Sequence, residues 1–207
     1  MFRNAIYYLG GIVIFVFGMF IFGIISNWRE VELEDVLAEK KIIGAFQPKL
    51  VINKIDYKLH LYADTILVKT YDVVLGGNPK NQKKSSEDRY TPKGNYFICD
   101  KKITTGLGKT LVLSYPSKHD AEFGLRQNLI SNKEFFVIAS AIEKKTIPPM
   151  DTRLGGNIKI HGNGKFDLIL RNLPFILNWT NGSIAVNNRE IEELYNACPI
   201  GTEVIIY

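Results

Sequence analysis

Residues 158–186 read IKIHGNGKFDLILRNLPFILNWTNGSIAV and decide how the rest of the chain is interpreted. The stretch begins as an apolar run that ends in His161 and Gly162, and residues 180–183 form the polar sequence TNGS before a second apolar run. A base at the end of a strand and a hydroxyl on a tight glycine turn can meet across a cleft. Nucleophilic acyl transfer needs such a pair, so the stretch predicts a catalytic site.

The composition is that of an ordinary folded chain with a modest excess of basic residues. The 207 residues are 46% hydrophobic and 23% charged, which argues against wholesale disorder, and the net charge is +5. This length suits one membrane segment and one domain. A basic excess suits an anionic partner such as a membrane surface or a cell-wall polymer. No dense Lys and Arg run with interleaved aromatic residues is present, so we expect no nucleic-acid partner.

The sequence contains two cysteines, Cys99 and Cys198, and neither belongs to a recognisable motif. No C-x-x-C pair or Cys and His spacing typical of a zinc site is present, so we expect no metal site. One disulfide bridge would be compatible with an oxidising compartment. Two separate buried thiols are the preferred interpretation.

Residues 5–25 form an apolar stretch without a charged residue. As a helix they would span about 32 Å, which is enough to cross a bilayer. The run is too long for a cleaved signal peptide, and no small-x-small cleavage site follows it. We therefore expect an uncleaved transmembrane signal anchor over residues 1–28, whose orientation the flanking charges leave open. Residues 29–47 would follow as a linker or short helix, and a solvated juxtamembrane spacer is preferred.

From residue 48 to residue 207 the pattern changes to short runs of β-branched and aromatic residues separated by turns. Helices are predicted over residues 135–142 and 190–198, and the long excursion over residues 115–152 suggests a flap. We expect a mainly β domain with a few short helices, either a sandwich or a partly closed barrel. The predicted strands cover residues 50–53, 58–62, 66–74, 110–114 and 204–207, together with a strand that follows the turn at residues 90–94.

Four motifs follow one another along this domain. They are TPKG at residues 91–94, SYP at residues 114–116, GGNIKIHG at residues 155–162 and NWTNGSIAV at residues 178–186. In this order they resemble the L,D-transpeptidase catalytic domain of the YkuD type, and the resemblance extends from residue 48 to residue 207. A single His-Gly pair would be weak evidence, whereas the ordered set is specific.

The resemblance implies acyl transfer on peptidoglycan stem peptides without a cofactor. In that family a cysteine in the last motif attacks the peptide carbonyl, and the His of His-Gly acts as base, oriented by a backbone carbonyl. Carried over, His161 is the base and the carbonyl of Gly162 orients its imidazole. Backbone N–H groups at Gly182 and Ser183 are candidate oxyanion donors. The nucleophile position falls on Ser183, 22 residues after His161.

Residues around these motifs are candidates for substrate binding. A cation at residue 153 or 159 would suit a substrate carboxylate, but a solvated flanking charge is equally compatible with the sequence. The aromatic residues at positions 115 and 179 either line a groove or belong to the core. The full set of candidates is Arg153, Lys159, Trp179, Thr180, Asn181 and Tyr115.

The chain departs from the family pattern at three positions. Asn181 stands where His is common, Ala185 where Arg is common, and Ser183 where the family has its cysteine. A thiol with a pKa of about 8.5 can pass its proton to a nearby imidazole, whereas a serine hydroxyl stays protonated and usually needs a His held by a carboxylate. We therefore expect the chain as written to be inactive or strongly impaired. Ser183 is either a substitution introduced into a cysteine enzyme or a natural change.

Together these inferences predict a single-pass protein of the bacterial cytoplasmic (inner) membrane with its catalytic domain in the periplasm. It would act on peptidoglycan in cell-wall biogenesis and cell shape, and a wall-linked protein could be acyl acceptor or product. Two alternatives stay open. One is a hydrolase, an amidase or peptidase that releases wall-linked peptide or protein. The other is a non-catalytic peptidoglycan-binding module.

Overall fold

The structure, a computed structural model, describes residues 2–27, 31–173 and 176–207. The first helix, α1, covers Phe2–Asn27, and its part Ile6–Ile25 is long and apolar enough to cross a membrane. Residues 28–30, where the predicted anchor gives way to the predicted linker, lie outside the described residues. A short helix, α2 (Leu33–Glu39), follows.

Helix α2 packs against the rest of the protein, so the preference for a solvated spacer was wrong. Leu33 is 5% exposed and belongs to the main hydrophobic core. Its backbone N–H donates to Glu193 Oε1 at 3.1 Å, and Lys69 donates to the same carboxylate and to the carbonyl of Val31. A helix of seven residues is not stable alone in water, and these tertiary contacts stabilise it.

Among the residues that the structure describes, eight strands form one sheet with the order β3-β2-β1-β8-β4-β5-β6-β7. The C-terminal strand β8 lies between β1, to which it is parallel, and β4, to which it is antiparallel. Beyond β3, Val74 exchanges two 2.8 Å backbone hydrogen bonds with Ala185 in β7, and this contact nearly closes the sheet into a barrel. The predicted mainly β fold is confirmed. The strands are β1 (Pro48–Asn53), β2 (Lys58–Ala63), β3 (Ile66–Asp72), β4 (Gly94–Thr104), β5 (Gly108–Leu113), β6 (Lys159–Gly162), β7 (Ile184–Val186) and β8 (Glu203–Ile206).

In the described residues, four further α-helices pack around the sheet: α3 (Lys118–Arg126), α4 (Asn132–Glu143), α5 (Asp167–Leu170) and α6 (Asn188–Ala197). Helices α3 and α4 pack on each other and lie within residues 115–152, the segment that was predicted to be a flap. Helices α3, α4 and α6 each begin with a capping box, in which the first side chain and an acid three residues later bond each other's backbone N–H.

The core follows the alternation of the strands. Leu50 and Ile52 of β1 and Leu59 and Leu61 of β2 are fully buried, while their neighbours along each strand face outward or lie at the edge of the core. This inward face of the sheet fixes the position of the strands that carry the motifs of the candidate site.

Candidate active site

Two parallel neighbouring strands carry the two motifs of the candidate site. Strand β6 contains His161, β7 begins directly after Ser183, and the register places His161 opposite Ala185. Continued by one residue, the register sets Ser183 opposite Lys159, whose backbone N–H donates to Ser183 Oγ at 3.2 Å. A rise of about 3.3 Å per residue and a strand spacing of about 4.8 Å put the Cα atoms of His161 and Ser183 about 8 Å apart.

The imidazole of His161 is buried and neutral. Its Nδ1 lies 2.8 Å from the carbonyl oxygen of Gly162. A carbonyl can only accept, so Nδ1 carries the proton and Nε2 is left as a proton acceptor. Burial lowers the pKa of His161 below 6.5; the bond to Gly162 opposes this change and the charge of Lys159 adds to it. The ring therefore has the protonation state that a general base needs at neutral pH.

Trp179 forms one wall beside this imidazole. The two ring centroids are 5.6 Å apart with an interplanar angle of 63°, an edge-on contact. The indole Nε1 is buried and has no hydrogen-bond partner among the described residues. Buried donors are normally paired, so this N–H can serve an acceptor brought by a ligand.

The turn that presents Ser183 depends on Gly182. Its φ of +103° lies in the left-handed region, and a Cβ there would come within 2.7 Å of the carbonyl oxygen of Tyr90. The hydroxyl of Thr180 donates to the carbonyl of Ser183 at 2.6 Å, and this hydrogen bond within the turn stabilises it. Within the described residues, the backbone N–H groups of Gly182 and Ser183 have no hydrogen-bond acceptor.

The loop between β3 and β4 packs directly on this turn. Gly76 pairs with Thr180, and a Cβ on Gly76 would lie 2.7 Å from the Cα of Gly182. The exposed Asn181 accepts a 2.8 Å hydrogen bond from Nε of Arg89 in the same loop. Arg89 is thus a cation beside the candidate cleft that the sequence did not single out, because 92 residues separate the two partners.

A buried lysine at the end of β1 holds this loop. Lys54 is fully buried, and its ammonium donates to the carbonyls of Asn81, at 2.8 Å, and Thr91. Burial lowers the pKa of Lys54 to about 8. The inward alternation of Leu50 and Ile52 continues to residue 54, and this was the available sequence signal for an inward-facing cation.

Asp88 organises the same loop from within. Its carboxylate accepts from the backbone N–H groups of Lys84, Ser85 and Tyr90 and from the ammonium of Lys83 at 2.9 Å. Burial alone would raise the pKa of Asp88, but these hydrogen bonds outweigh it and lower the pKa. The sequence showed a polar basic loop here, without indicating which carboxylate orders it.

Two of the predicted substrate-binding residues lie outside the two motif-bearing segments of the site. Tyr115 is 1% exposed, and its hydroxyl donates to the carbonyl of Leu154 at 3.1 Å, so it is part of the core and presents no surface to a ligand. Arg153 is exposed, and its backbone carbonyl accepts from Ser86. Lys159, Trp179, Thr180 and Asn181 lie on the two motif-bearing segments around Ser183.

No carboxylate supports His161 among the described residues. Asp167, the nearest acid along the chain, accepts from Asn163 Nδ2 at 3.1 Å and from the backbone N–H of Asn188 at 3.0 Å, and so ties the end of β6 to α6. Across residues 2–27, 31–173 and 176–207, no group of three or more His, Cys, Asp or Glu side chains could hold a metal ion.

The two cysteines take no part in this site. Both are buried and unpaired with each other, as predicted. Burial raises the pKa of Cys99 to about 11 and that of Cys198 to about 12, so neither forms a thiolate near neutral pH.

Comparison with known families agrees with the order of the motifs. The family model described as the L,D-transpeptidase catalytic domain, YkuD, matches residues 47–206. The chain belongs to this family. No curated protein matches the chain.

Several solved structures are similar to the chain. They include the L,D-transpeptidase from Xylanimonas cellulosilytica (13% identity, TM-score 0.44, 79% of this chain and 62% of that chain covered). The helical cell shape determining protein Pgp2 from Campylobacter jejuni has 18% identity and a TM-score of 0.46, with 84% and 55% covered. An L,D-transpeptidase from Mycobacterium tuberculosis has 12% identity and a TM-score of 0.46, with 78% and 58% covered. The chain thus spans less than two thirds of the length of each of these three.

Proposed function

We propose that this protein has the active-site architecture of a peptidoglycan L,D-transpeptidase-like acyltransferase, with Ser183 at the nucleophile position. The observation that carries the proposal is the buried, neutral His161 beside the turn of Ser183, with its Nδ1 bonded to the carbonyl of Gly162. This leaves Nε2 as the base for the proton of the nucleophile. The substrate class, peptidoglycan stem peptides, follows from membership of the family.

With a thiol at residue 183, the reaction would proceed in two steps. The thiol transfers its proton to His161 and its sulfur attacks the peptide carbonyl, whose oxygen would be stabilised by the backbone N–H groups of Gly182 and Ser183. The leaving amine takes the proton from His161, and an acyl-enzyme remains. An incoming amine then attacks the acyl group and passes its proton to His161, the C–S bond breaks, and the departing thiolate takes that proton from His161. The acceptor would be a second stem peptide or a wall-linked protein, and water as acceptor would make the protein a hydrolase.

The chain as written would be strongly impaired in this chemistry. A serine hydroxyl keeps its proton until attack, and the imidazole must then become a cation, which serine enzymes stabilise with a carboxylate. Asp167, the nearest acid along the chain, is engaged by Asn163 and Asn188 instead. The same observation favours a second candidate function, a peptidoglycan-binding module that keeps the cleft but has lost turnover.

The domain organisation and location are part of the proposal. Residues 1–28 would anchor the protein in the inner membrane through the apolar helix, and residues 48–207 would form the catalytic domain in the periplasm. Residues 29–47 would join the two, with α2 packed on the domain. The periplasmic side is inferred from the substrate of the family, and the charges that flank the helix do not decide it. Protease digestion of intact spheroplasts would remove a periplasmic domain, and a protected domain would contradict this orientation.

The decisive experiment compares the chain as written with Ser183→Cys on purified muropeptides, read by mass spectrometry. New cross-links would indicate transfer, and shortened or released stems would indicate hydrolysis. His161→Gln in the Ser183→Cys background is the control, and it should lower turnover by about 10²-fold or more, the usual contribution of a general base.

The outcomes separate the two candidates. Turnover by Ser183→Cys that depends on His161 supports the enzyme architecture. Unchanged muropeptides with both chains, together with retained pull-down on peptidoglycan sacculi, would support the binding module and exclude the enzyme. If neither turnover nor pull-down is seen, both candidates fail.

A further inference from the structure

We propose that the α5 segment, residues 166–173 together with residues 176–177, inserts into the membrane beside helix α1 and sets the active-site cleft at the bilayer surface. The inference rests on the proposed function in one respect, which is that α1 spans the membrane. The occupant of the apolar surface is therefore a lipid bilayer containing anionic lipids.

The first observation is an apolar surface where a soluble domain would normally be polar. Five large apolar side chains of the α5 segment are about half exposed, and they lie within twelve residues of one another along the chain. Exposed apolar residues clustered in this way mark an interaction site. They are Phe166 (54%), Leu168 (55%), Ile169 (53%), Ile176 (54%) and Leu177 (48%).

The segment is also separated from the strands behind it. A cavity of about 310 Å³ is lined by Leu170, Leu173, Ile176 and Leu177 of the segment and by strand residues such as Val74 and Ala185. Phe166, Leu168 and Ile169 do not line this cavity. These three side chains need another environment to be buried.

The second observation connects this surface to α1. The helix packs so closely on the segment that a Cβ on Gly23 would lie 2.9 Å from the backbone oxygen of Asn172. Met19, Phe20 and Gly23 are half-buried and have helical spacing, so one face of the last turns of α1 is turned toward the domain. Asn172 itself is 2% exposed.

The contact between Gly23 and Asn172 lies near the end of the apolar span of α1, so the surface beside it is at the depth of the lipid bilayer. Gly23 precedes Ile25, the last residue of the apolar span, by two residues, or about 3 Å along the helix axis. Asn172 therefore lies level with the end of the hydrocarbon-spanning part of α1. The apolar side chains of the segment flank it at the depth where the acyl region meets the headgroups.

The basic residues at the two ends of α5 are compatible with a position at the boundary between the acyl region and the headgroups. Lys165 is exposed, and its ammonium lies 5.1 Å from the centroid of the Phe166 ring. Arg171 is exposed near the other end of α5 and lies 3.9 Å from Asp167. Long basic side chains beside apolar ones can keep their charges at the headgroups while their stems lie along the acyl region.

Along the chain, the α5 segment lies between the two motifs of the site. It starts four residues after Gly162 and ends two residues before Trp179, so it connects the two motifs of the site. Insertion of the segment would hold both motifs close to the membrane. The cleft would then meet peptidoglycan at the bilayer surface.

The test places an environment-sensitive fluorophore on single introduced cysteines of the full chain in nanodiscs that contain phosphatidylglycerol and nitroxide-labelled lipid. The native cysteines are buried, and the unsubstituted chain measures any background labelling. Ile169→Cys reports on the segment. Ile103→Cys, 79% exposed in the β4–β5 hairpin, is the matched control, and Phe15→Cys reports on the middle of α1.

We expect the label at residue 169 to lose emission to nitroxide lipid and to shift to shorter wavelength, while the label at residue 103 does neither. Quenching at residue 15 with none at residue 169 would overturn the insertion and leave the anchor intact. No quenching at residue 15 would overturn the anchor and the insertion together. A blue shift at residue 169 without lipid quenching, which grows with the number of chains per disc, would indicate a second copy as occupant and would also overturn the proposal.

A second measurement guards against an effect of the label itself. With the fluorophore at Ile176→Cys, the added change Ile169→Asp should abolish quenching, because a charge in the acyl region is unfavourable. The matched change Phe136→Asp, on the exposed face of α4, should leave quenching intact. Equal quenching with both added changes would overturn the proposal.

Discussion

Replacing Asp88 with Asn should destabilise the protein by about 3–5 kcal/mol, the usual cost of breaking a buried ion pair from one side. The side chain of Lys83 is 2% exposed and that of Asp88 is 13% exposed, so Asp88→Asn would leave the Lys83 ammonium buried without its counter-charge. It would also weaken the hydrogen bonds from the backbone N–H groups of Lys84, Ser85 and Tyr90. The loop that packs on the Ser183 turn would therefore be destabilised.

The assay is urea unfolding of the full chain in detergent micelles, followed by intrinsic fluorescence. With an m value of about 3 kcal/mol/M, the expected loss lowers the midpoint by about 1–2 M. Asp72→Asn is the matched control, because its pair with Lys58 is exposed (83% and 41%) and should contribute less than about 1 kcal/mol. Equal midpoints for the two variants would refute the assignment of Asp88 as the organiser of the loop.

The pH dependence of this effect follows from the lowered pKa of Asp88. In the unfolded chain the carboxyl titrates near pH 3.9, and in the folded protein it titrates lower. The stabilisation by the carboxylate is therefore fully present above about pH 4 and is lost as the pH falls through the folded pKa. The difference between Asp88→Asn and the unsubstituted chain should shrink over that acidic range, and a constant difference would contradict the sign.

Two further predictions concern the site. Gly182→Ala should lower the melting temperature more than Gly106→Ala. Both positions have positive φ, so alanine costs about 1–3 kcal/mol of strain at each, but only at Gly182 would the new Cβ also meet the Tyr90 carbonyl. Equal melting temperatures for the two variants would contradict this. Burial lowers the pKa of His161, so below about pH 7 the unfolded state binds more protons than the folded state. The free energy of unfolding therefore decreases as the pH is lowered from about 7 toward the folded pKa. His161→Gln should flatten that part of the stability profile in urea titrations, and an unchanged slope would contradict a buried neutral imidazole.

The parts of the fold that depend on local pattern could be predicted from the sequence. Strands at residues 50–53 and 58–62 were predicted within a residue or two, because alternating apolar residues and the turn between them are local signals. The ordered motifs also identified the family. That a base at His161 and a hydroxyl on the glycine turn could meet across a cleft was predicted, whereas the pairing of β6 with β7 was not.

The remainder depends on contacts between distant parts of the chain. The insertion of β8 between β1 and β4 is a pairing of residues about 100 or more positions apart, which local pattern does not indicate. The buried Lys54 and the Arg89–Asn181 contact likewise depend on partners 27 to 92 residues away. Helix α2 was taken for a solvated spacer because its acids and lysines outweighed Leu33, whose burial requires the sheet and α6 to be in place.

The environment of His161 distinguishes between nucleophiles more sharply than the sequence comparison does. Either nucleophile would leave a positive charge on an imidazole that burial and Lys159 both keep neutral and whose Nδ1 is bonded to the uncharged carbonyl of Gly162, so His161 is a weak base. A thiol is more acidic than a serine hydroxyl by several pKa units, so it demands much less of the base. The same pocket therefore suits a cysteine and disfavours Ser183. A serine-dependent turnover that survives in the chain as written would require a carboxylate to reach His161, and the described acid nearest in sequence, Asp167, is already engaged by Asn163 and Asn188.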